Sequence, residues 1–249
     1  MVTSLVKHLK ETHESCGVDF RWRNLRNLVK THIQGTNILD AGCGTGHLTL
    51  ELLQDDFTVT ATDYSQDLVD FTKGILQQAG FSPDVYQLDL REAKTLSEEN
   101  YDTIVCLDVL EHIDDDLIAL KNLKNALKPG GVLIISVPAI GWLYSHRDEE
   151  IGHYRRYNKP ELLEKLTTVG FEISTIRFWN FIGLFPYLIS EKLLKISIDK
   201  NVRNNSESTF ARIANDLLNV WFEHFENNFS SPIGLSLIAV CTRPKIREP

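Results

Sequence analysis

The densest chemistry in the 249-residue chain lies in a glycine-spaced run, Asp40-Ala41-Gly42-Cys43-Gly44-Thr45-Gly46. Glycines so spaced let a backbone turn sharply and approach a ligand closely. Asp63, Asp89 and Asp108 follow downstream, and each, like Asp40, closes a short apolar run that reads as a strand. A carboxylate at the end of the second strand can accept both hydroxyls of a ribose. Asp40 would repel a diphosphate on its own loop and attract a cation instead, an ammonium or a sulfonium. Strand-end aspartates often do no more than cap the next helix. Four in register, with the loop set between strand and helix, argue for a site.

Two further stretches carry titratable groups. Glu111-His112 follows the fourth strand and reads either as a pocket wall or substrate contact, or as a helix-start cap with a packing imidazole. The run from Tyr144 to Tyr157 (YSHRDEEIGHYRRY) is denser. His146 or His153 is its candidate base, because an unperturbed imidazole titrates near pH ~6.5. Trp142, Tyr144, Tyr154, Arg155 and Tyr157 are candidates to position a substrate, as is Phe181 beyond them. The plain alternative is a surface loop tied by Arg–carboxylate pairs, each worth little. No metal is expected. The combinations to weigh are His112 with Asp114–Asp116 and His146 with Asp148 and His153, and neighbours in one loop rarely converge on an ion.

These groups need a scaffold, and the apolar periodicity supplies one. Strands are predicted at Asn37–Ala41, Thr58–Thr62, Val85–Leu88, Tyr101–Leu107, Val132–Val137, Phe171–Trp179 and Leu235–Thr242. Helices are predicted at 19–34, His47–Gln54, Gln66–Gln78, Leu117–Leu127 and Lys159–Val169, with Pro129-Gly130-Gly131 as a turn and Ala139–Asn158 as a polar loop. Strands alternating with helices mean right-handed crossovers and a parallel α/β sheet. In such sheets ligands bind outside the carboxyl ends of the strands, where strand order reverses. The chain divides into an N-terminal helical cap (1–34), a core (35–179), a helical insertion (180–232) and a last strand with its tail (233–249). Within the insertion, Asp199–Ser208 reads as a mobile polar loop.

Composition limits the partners. Acidic residues outnumber basic ones, 34 to 26, for a formal charge of −8. Nucleic-acid binders usually carry a basic face, so no nucleic acid is expected. Four cysteines without a CxxC pair suggest reduced thiols in a cytoplasmic protein. Met1–Lys10 lacks the apolar run of a signal peptide. Of 23 aromatic residues, 11 lie between Phe171 and Phe229. This aromatic segment reads as an extra helix on the core, as a lid over an apolar or aromatic pocket, or as a dimer or membrane contact flanked by Lys192 and Lys195.

A dinucleotide dehydrogenase is the obvious competitor, but its G-x-G-x-x-G spacing is not met: His47 follows Gly42-x-Gly44-x-Gly46. LDAGCGTG, ATDYS, LDVLEHI and LKPGG, in that order, resemble instead the motifs of a class I S-adenosylmethionine-dependent methyltransferase, with a type 11/12 domain, over about residues 35–175. CLDVLEHI with LKPGG is similar to the ubiquinone and menaquinone branch. VPAIGWLYSHRDEEIGHYRRY resembles bacterial enzymes of natural-product and cell-surface glycolipid pathways. The resemblance implies a Rossmann-like seven-stranded sheet with an antiparallel last strand, and S-adenosyl-L-methionine as cofactor. Asp40, Gly42, Gly44 and Gly46 would back its methionine end, and Asp63 would bind the ribose. Tyr64 would flank the adenine, whose edge Asp89 and the Leu90 amide would read. Leu107 and Asp108 would stand near the methionine amino group, His112 would help wall the cofactor pocket, and Phe20, Trp22 or Arg23 are candidates to close over the cofactor. The expected acceptor is a small apolar or aromatic molecule methylated on oxygen or nitrogen, by a monomer or homodimer. A lipid-linked acceptor and a non-catalytic cofactor-binding partner subunit are the competing readings.

Overall fold

Seven strands form one mixed sheet in the order β3-β2-β1-β4-β5-β7-β6. The computed structural model describes residues 6–7, 9–10, 13, 20–92, 96, 99–189 and 217–245. The strands are β1 (Asn37–Ala41), β2 (Thr58–Asp63), β3 (Asp84–Gln87), β4 (Tyr101–Leu107), β5 (Leu127–Pro138), β6 (Glu172–Trp179) and β7 (Ser236–Thr242). The helices are α1 (Phe20–Lys30), α2 (His47–Gln54), α3 (Gln66–Gln78), α4 (Asp116–Ala126), α5 (His146–Glu150), α6 (Lys159–Val169) and α7 (Phe181–Tyr187). β1 through β5 pair in parallel, while β7 runs antiparallel to both β5 and β6. The implied seven-stranded sheet with an antiparallel last strand is therefore present.

Helices cover both faces because the strands are apolar on both. α4 and α6 set Leu120, Leu123, Leu162 and Leu166 against Leu133, Ile135 and Leu237. Behind the sheet, Val29 of α1 and Leu48 and Leu52 of α2 pack on Ile38, Val105 and Ile134. α1 also buries Leu25 and Leu28 against Trp179, Phe222 and Ile238. α1 and the segment around residues 219–222 thus share one small core, joined by Asn24 Nδ2 donating to Asn219 Oδ1 at 3.2 Å.

Two local readings need correction. Pro129-Gly130-Gly131 is no free turn but part of β5. The register jumps from Tyr101↔Leu127 to Thr103↔Val132, so these residues form a bulge. Gly130 N and Arg243 N close it by donating to Arg243 O (2.8 Å) and Gly131 O (2.9 Å). The polar loop 139–158 contains α5, started by Ser145, whose amide and hydroxyl both donate to Asp148 Oδ2. Cys43, Cys106 and Cys241 are free and buried. Cys16, Lys192, Lys195 and the polar stretch 199–208 lie outside the described residues. Among the described residues no helix is long and apolar enough to cross a membrane.

Candidate active site

Strand order reverses between β1 and β4, and the carboxyl ends of those strands carry the glycine loop and the Asp108–His112 turn. The loop is pinned on two sides. Gly42 N and Cys43 N both donate to Thr62 O at 2.8 Å, and Thr72 Oγ1 of α3 donates to Gly44 O at 2.9 Å. Gly42 has φ +88°, and a Cβ there would lie 2.3 Å from Val109 Cγ2. Gly44 differs: its φ is +56°, but a Cβ would meet nothing within 4 Å. One glycine is thus required by packing, and the next faces open space where a ligand's chain can lie against the backbone. Gly46 then caps α2.

The aspartates ring this space. Asp40 is buried and accepts from Thr49 Oγ1 at 2.6 Å; burial holds its carboxyl up to about 6, against the pull of that hydroxyl. Asp63 ends β2, with Oδ2 accepting from Gly44 N (3.0 Å) and Oδ1 from Ser65 N (2.8 Å). Burial raises its carboxyl too, opposed by these amides. A carboxylate has roughly four lone-pair sites, so Asp63 keeps capacity for two hydroxyls. Tyr64 beside it is exposed. Asp89 differs from the expectation of a free reader: Arg91 grips both its oxygens, at 2.6–3.1 Å, and bridges on to Asp114. Leu90 is buried, its carbonyl taken by Asn122 Nδ2. Leu107 lies half-buried against the α1 side of the sheet. Asp108 stands at φ +52°, with its amide bonded to Ser136 O (2.8 Å) and Oδ1 accepting from Ser136 Oγ (2.8 Å), so β5 fixes it. An open glycine cradle, an acid for ribose and a buried acid for a cation fit S-adenosylmethionine.

The loops after β4 and β5 interlock beside this cradle. Tyr154 N donates to Glu111 O at 2.7 Å, and His112 Nδ1 lies 3.3 Å from Gly152 O. The His112 and His153 rings meet edge to face at 4.7 Å. His153 Nδ1 is 2.9 Å from Asp148 Oδ1, and its Nε2 is 3.8 Å from Glu111 Oε1. Asp148 also receives Arg156 Nε at 2.9 and 3.0 Å, while Arg156 NH2 reaches the Tyr187 hydroxyl of α7 at 2.8 Å. Burial would raise the Asp148 carboxyl, yet His153 and Arg156 together bring it down to about 2. Glu111 has less help, because the Arg156 charge offsets only part of its burial. It is 1% exposed, neither carboxylate oxygen has a hydrogen-bond partner, and burial, with the nearby Asp108 charge, pushes it well above the carboxylate range. Burial, then His153, lowers His112 to about 4.

The candidate acceptor residues therefore separate. His153 is in the cluster. His146 is 82% exposed, beside Glu149 and Glu150 on α5. Tyr144 donates its hydroxyl to His153 O at 2.8 Å and so supports the cluster from behind. Trp142 and Tyr154 are exposed. Phe181 packs edge to face on Phe185. Tyr157 was expected to face the acceptor, and this is corrected: it is fully buried in the main core, its hydroxyl donated to Asp116 Oδ2 at 2.7 Å. Arg155 is likewise engaged, with Asp116 Oδ2 at 2.9 Å and Asp114 O at 2.6 Å. Of the cofactor candidates on α1, Trp22 packs in the Leu25–Trp179 core and Arg23 is exposed, while nothing is described of the Phe20 side chain. Sequence reading named Asp148 only as a member of a doubtful metal set. It missed Arg156 as a partner of Asp148 and Tyr187 as a partner of Arg156, because nothing in local spacing joins α7 to the β5 loop.

Comparison with known proteins agrees with this architecture. The family model described as "Methyltransferase domain" matches residues 14–176. A ubiquinone biosynthesis O-methyltransferase of Rickettsia canadensis is 29% identical over 162 residues, 58% of this chain and 66% of that protein. One of Coxiella burnetii is 35% identical over 104 residues, 42% of this chain and 44% of that protein. The chain thus spans less than two thirds of either relative. The solved structure of Haemonchus contortus phosphoethanolamine N-methyltransferase 2 with S-adenosyl-L-methionine shares the fold, with a TM-score of 0.60 at 19% identity, over 90% of this chain and 52% of that one. A glycine cradle at the switch point, acids on the successive strand ends and a family match over most of the sheet converge: this chain belongs to the methyltransferase-domain family and is a class I, S-adenosylmethionine-dependent member of it.

Proposed function

We propose that the chain methylates an oxygen or nitrogen of a small organic acceptor, with an aromatic hydroxyl the favoured group, and that His153 handles the acceptor's proton. One observation carries the reading: the loops after β4 and β5 lock Glu111, His112, His153 and Asp148 together beside the glycine cradle. The names of the ubiquinone-pathway relatives support a hydroxyl as the methylated group.

When bound, S-adenosylmethionine supplies a methyl group on a positively charged sulfur. Asp63 offers its remaining lone pairs to the ribose hydroxyls, and Tyr64 a ring beside the adenine. Asp89, with the Leu90 amide, serves the adenine edge, and Arg91 keeps that carboxylate ionised. Asp40 stands against positive charge at the methionine end, with Asp108 near the amino group. Holding acceptor and methyl in line, away from water, supplies most of the acceleration. An acceptor hydroxyl still has one proton to lose, and a placed base speeds that step. The Nδ1 of His153 faces a carboxylate that holds it as the donor, which leaves the Nε2 lone pair on the Glu111 side of the ring. His153→Ala should lower kcat by about 100-fold or more, with S-adenosylhomocysteine affinity unchanged, while His146→Ala should keep wild-type turnover. Equal turnover in the His153 variant and wild type would remove His153 from the reaction.

A lipid-linked acceptor is the second reading. It is favoured by exposed apolar side chains near the insertion's end, where Leu217, Val220, Phe225 and Phe229 are each about half-exposed or more. Co-sedimentation with anionic vesicles, comparing the wild type with Phe225→Ser/Phe229→Ser, separates it from a soluble acceptor.

A further inference from the structure

We propose that Glu111, His112 and His153 form a binding site for a divalent transition-metal ion. One ligand atom from each lies within 4.8 Å of the other two. Glu111 supplies a carboxylate buried to 1% exposure with both oxygens unpartnered. A buried carboxylate without donors is costly, since its desolvation is uncompensated. Such a carboxyl keeps its proton unless a positive charge takes the proton's place.

The two imidazoles are set for that charge. Nδ1 of His112 faces the Gly152 carbonyl at 3.3 Å, and Nδ1 of His153 faces Asp148 at 2.9 Å. Both partners only accept, so both Nδ1 atoms carry hydrogen and both Nε2 atoms present lone pairs. This is the outer-shell arrangement that orients metal-bound histidines, with a carboxylate behind one ring and a carbonyl behind the other. The lone pair of His153 Nε2 looks at Glu111 Oε1 across 3.8 Å. Two electron-rich atoms at that separation repel unless a proton or a cation stands between them. Metal–ligand bonds of about 2.0–2.2 Å place two ligands of one ion roughly 3–4 Å apart, so the set closes on an ion with side-chain shifts of an ångström or so. Two histidines and one carboxylate on one side of an ion favour zinc, iron(II), cobalt or manganese over calcium or magnesium, and leave positions open. Arg156 hydrogen-bonds Asp148 rather than any of the three ligands, so it holds the outer shell without occupying the ion's place.

The existence of the site does not depend on the acceptor reading; its role does. An acceptor hydroxyl in an open position would bind the ion through oxygen and release its proton to water. His153 would then handle that proton by holding the ion rather than by taking the proton itself. Two ligands are neighbours on one turn, and the third comes from a loop forty-one residues on. Local spacing therefore could not reveal the set.

The test is titration of chelator-stripped protein with Co2+, read by visible absorption and calorimetry. Wild type should bind one Co2+ per chain with ligand-field bands. Glu111→Gln should abolish the bands or weaken binding at least tenfold. Asp148→Asn, which touches no ion, should weaken it by about 10–100-fold. His146→Ala removes the exposed histidine beside Glu149 and Glu150, and should bind as wild type does. Circular dichroism and the melting shift with S-adenosylhomocysteine, taken on every sample, confirm that each variant is folded. No uptake by wild type at millimolar Co2+, or equal uptake by wild type and Glu111→Gln, overturns the proposal. A melting shift with S-adenosylhomocysteine but no Co2+ uptake would defeat the ion alone. Uptake without the shift would defeat the cofactor reading alone.

Discussion

Asp40 and Asp63 are both buried acids near the same glycine loop, yet they answer to different tests. Asp63 already satisfies two backbone amides, so Asp63→Ala removes both those bonds and the ribose acceptor. Calorimetry should show S-adenosylhomocysteine binding weakened by about 1–3 kcal/mol, the cost of unpaired buried polar groups. Asp40 is tested by pH. Its folded value of about 6 leaves it half neutral at that pH. A cationic ligand favours the ionised form, so S-adenosylmethionine affinity should rise as pH increases through about 6. Asp40→Asn should flatten that rise. The same acid affects stability. Its raised value means that the folded state keeps a proton the unfolded chain loses near pH ~3.9, so stability falls as pH rises from there through about 6. His112 works oppositely. Its value of about 4 means that the unfolded chain gains a proton first as pH falls below ~6.5, and stability falls with it. In Asp40→Asn one of the opposing contributions is gone, those of Asp63 and Glu111 remaining, so acid unfolding between pH 6.5 and 4 should steepen relative to wild type, as denaturant titrations at fixed pH would show.

At the scale of elements, sequence and structure agree where apolar periodicity is long. β1, α2, α3, β4 and α6 keep their predicted bounds because each is apolar at the spacing of its own geometry and ends at a glycine, an aspartate or a polar pair. α4 starts one residue early, where Asp115 accepts from Ile118 N. The misses are tertiary in origin. The Pro129–Gly131 bulge is set by Arg243 from the far end of the chain, and five-residue α5 is too short for any period to register. The site divides the same way. Its cofactor half could be read because each acid closes its own strand. Its acceptor half joins residues from the β4 turn, the β5 loop and α7, and only packing brings these together. The glycine loop provides a sharp element-scale test. Gly42→Ala forces a Cβ into Val109 at positive φ, and should remove S-adenosylhomocysteine binding. Gly42→Ala/Val109→Ala relieves the clash but not the φ strain, so calorimetry should find only partial recovery.

For the molecule as a whole, the uneven aromatic content acquires two destinations. Trp179 and Phe222 meet edge to face at 5.1 Å in the core shared with α1, where Trp221 also packs, whereas Phe225, stacked on Trp221, and Phe229 are exposed. Phe222→Ala should cost about 3–5 kcal/mol of stability; loss of Phe229, 65% exposed, should cost little. A ligand that binds only the folded state at 100 times its Kd adds about 2.7 kcal/mol, worth a melting shift of roughly 5–10 °C for a chain of this length. S-adenosylhomocysteine should produce that shift and NAD should not.

The strand order also has a consequence for how the chain is made. Among the described strands β6 pairs along its length with β7 alone, and β7 follows the other six in chain order. The five parallel strands can assemble during synthesis, but the β5 edge then stays bare while more than fifty residues follow β6. An open apolar edge is a template for wrong pairing. Loss of β7 should therefore harm this chain out of proportion to its length: a nascent chain stopped at residue 235 should bind chaperones and aggregate on release more than one stopped at residue 245, which includes β7.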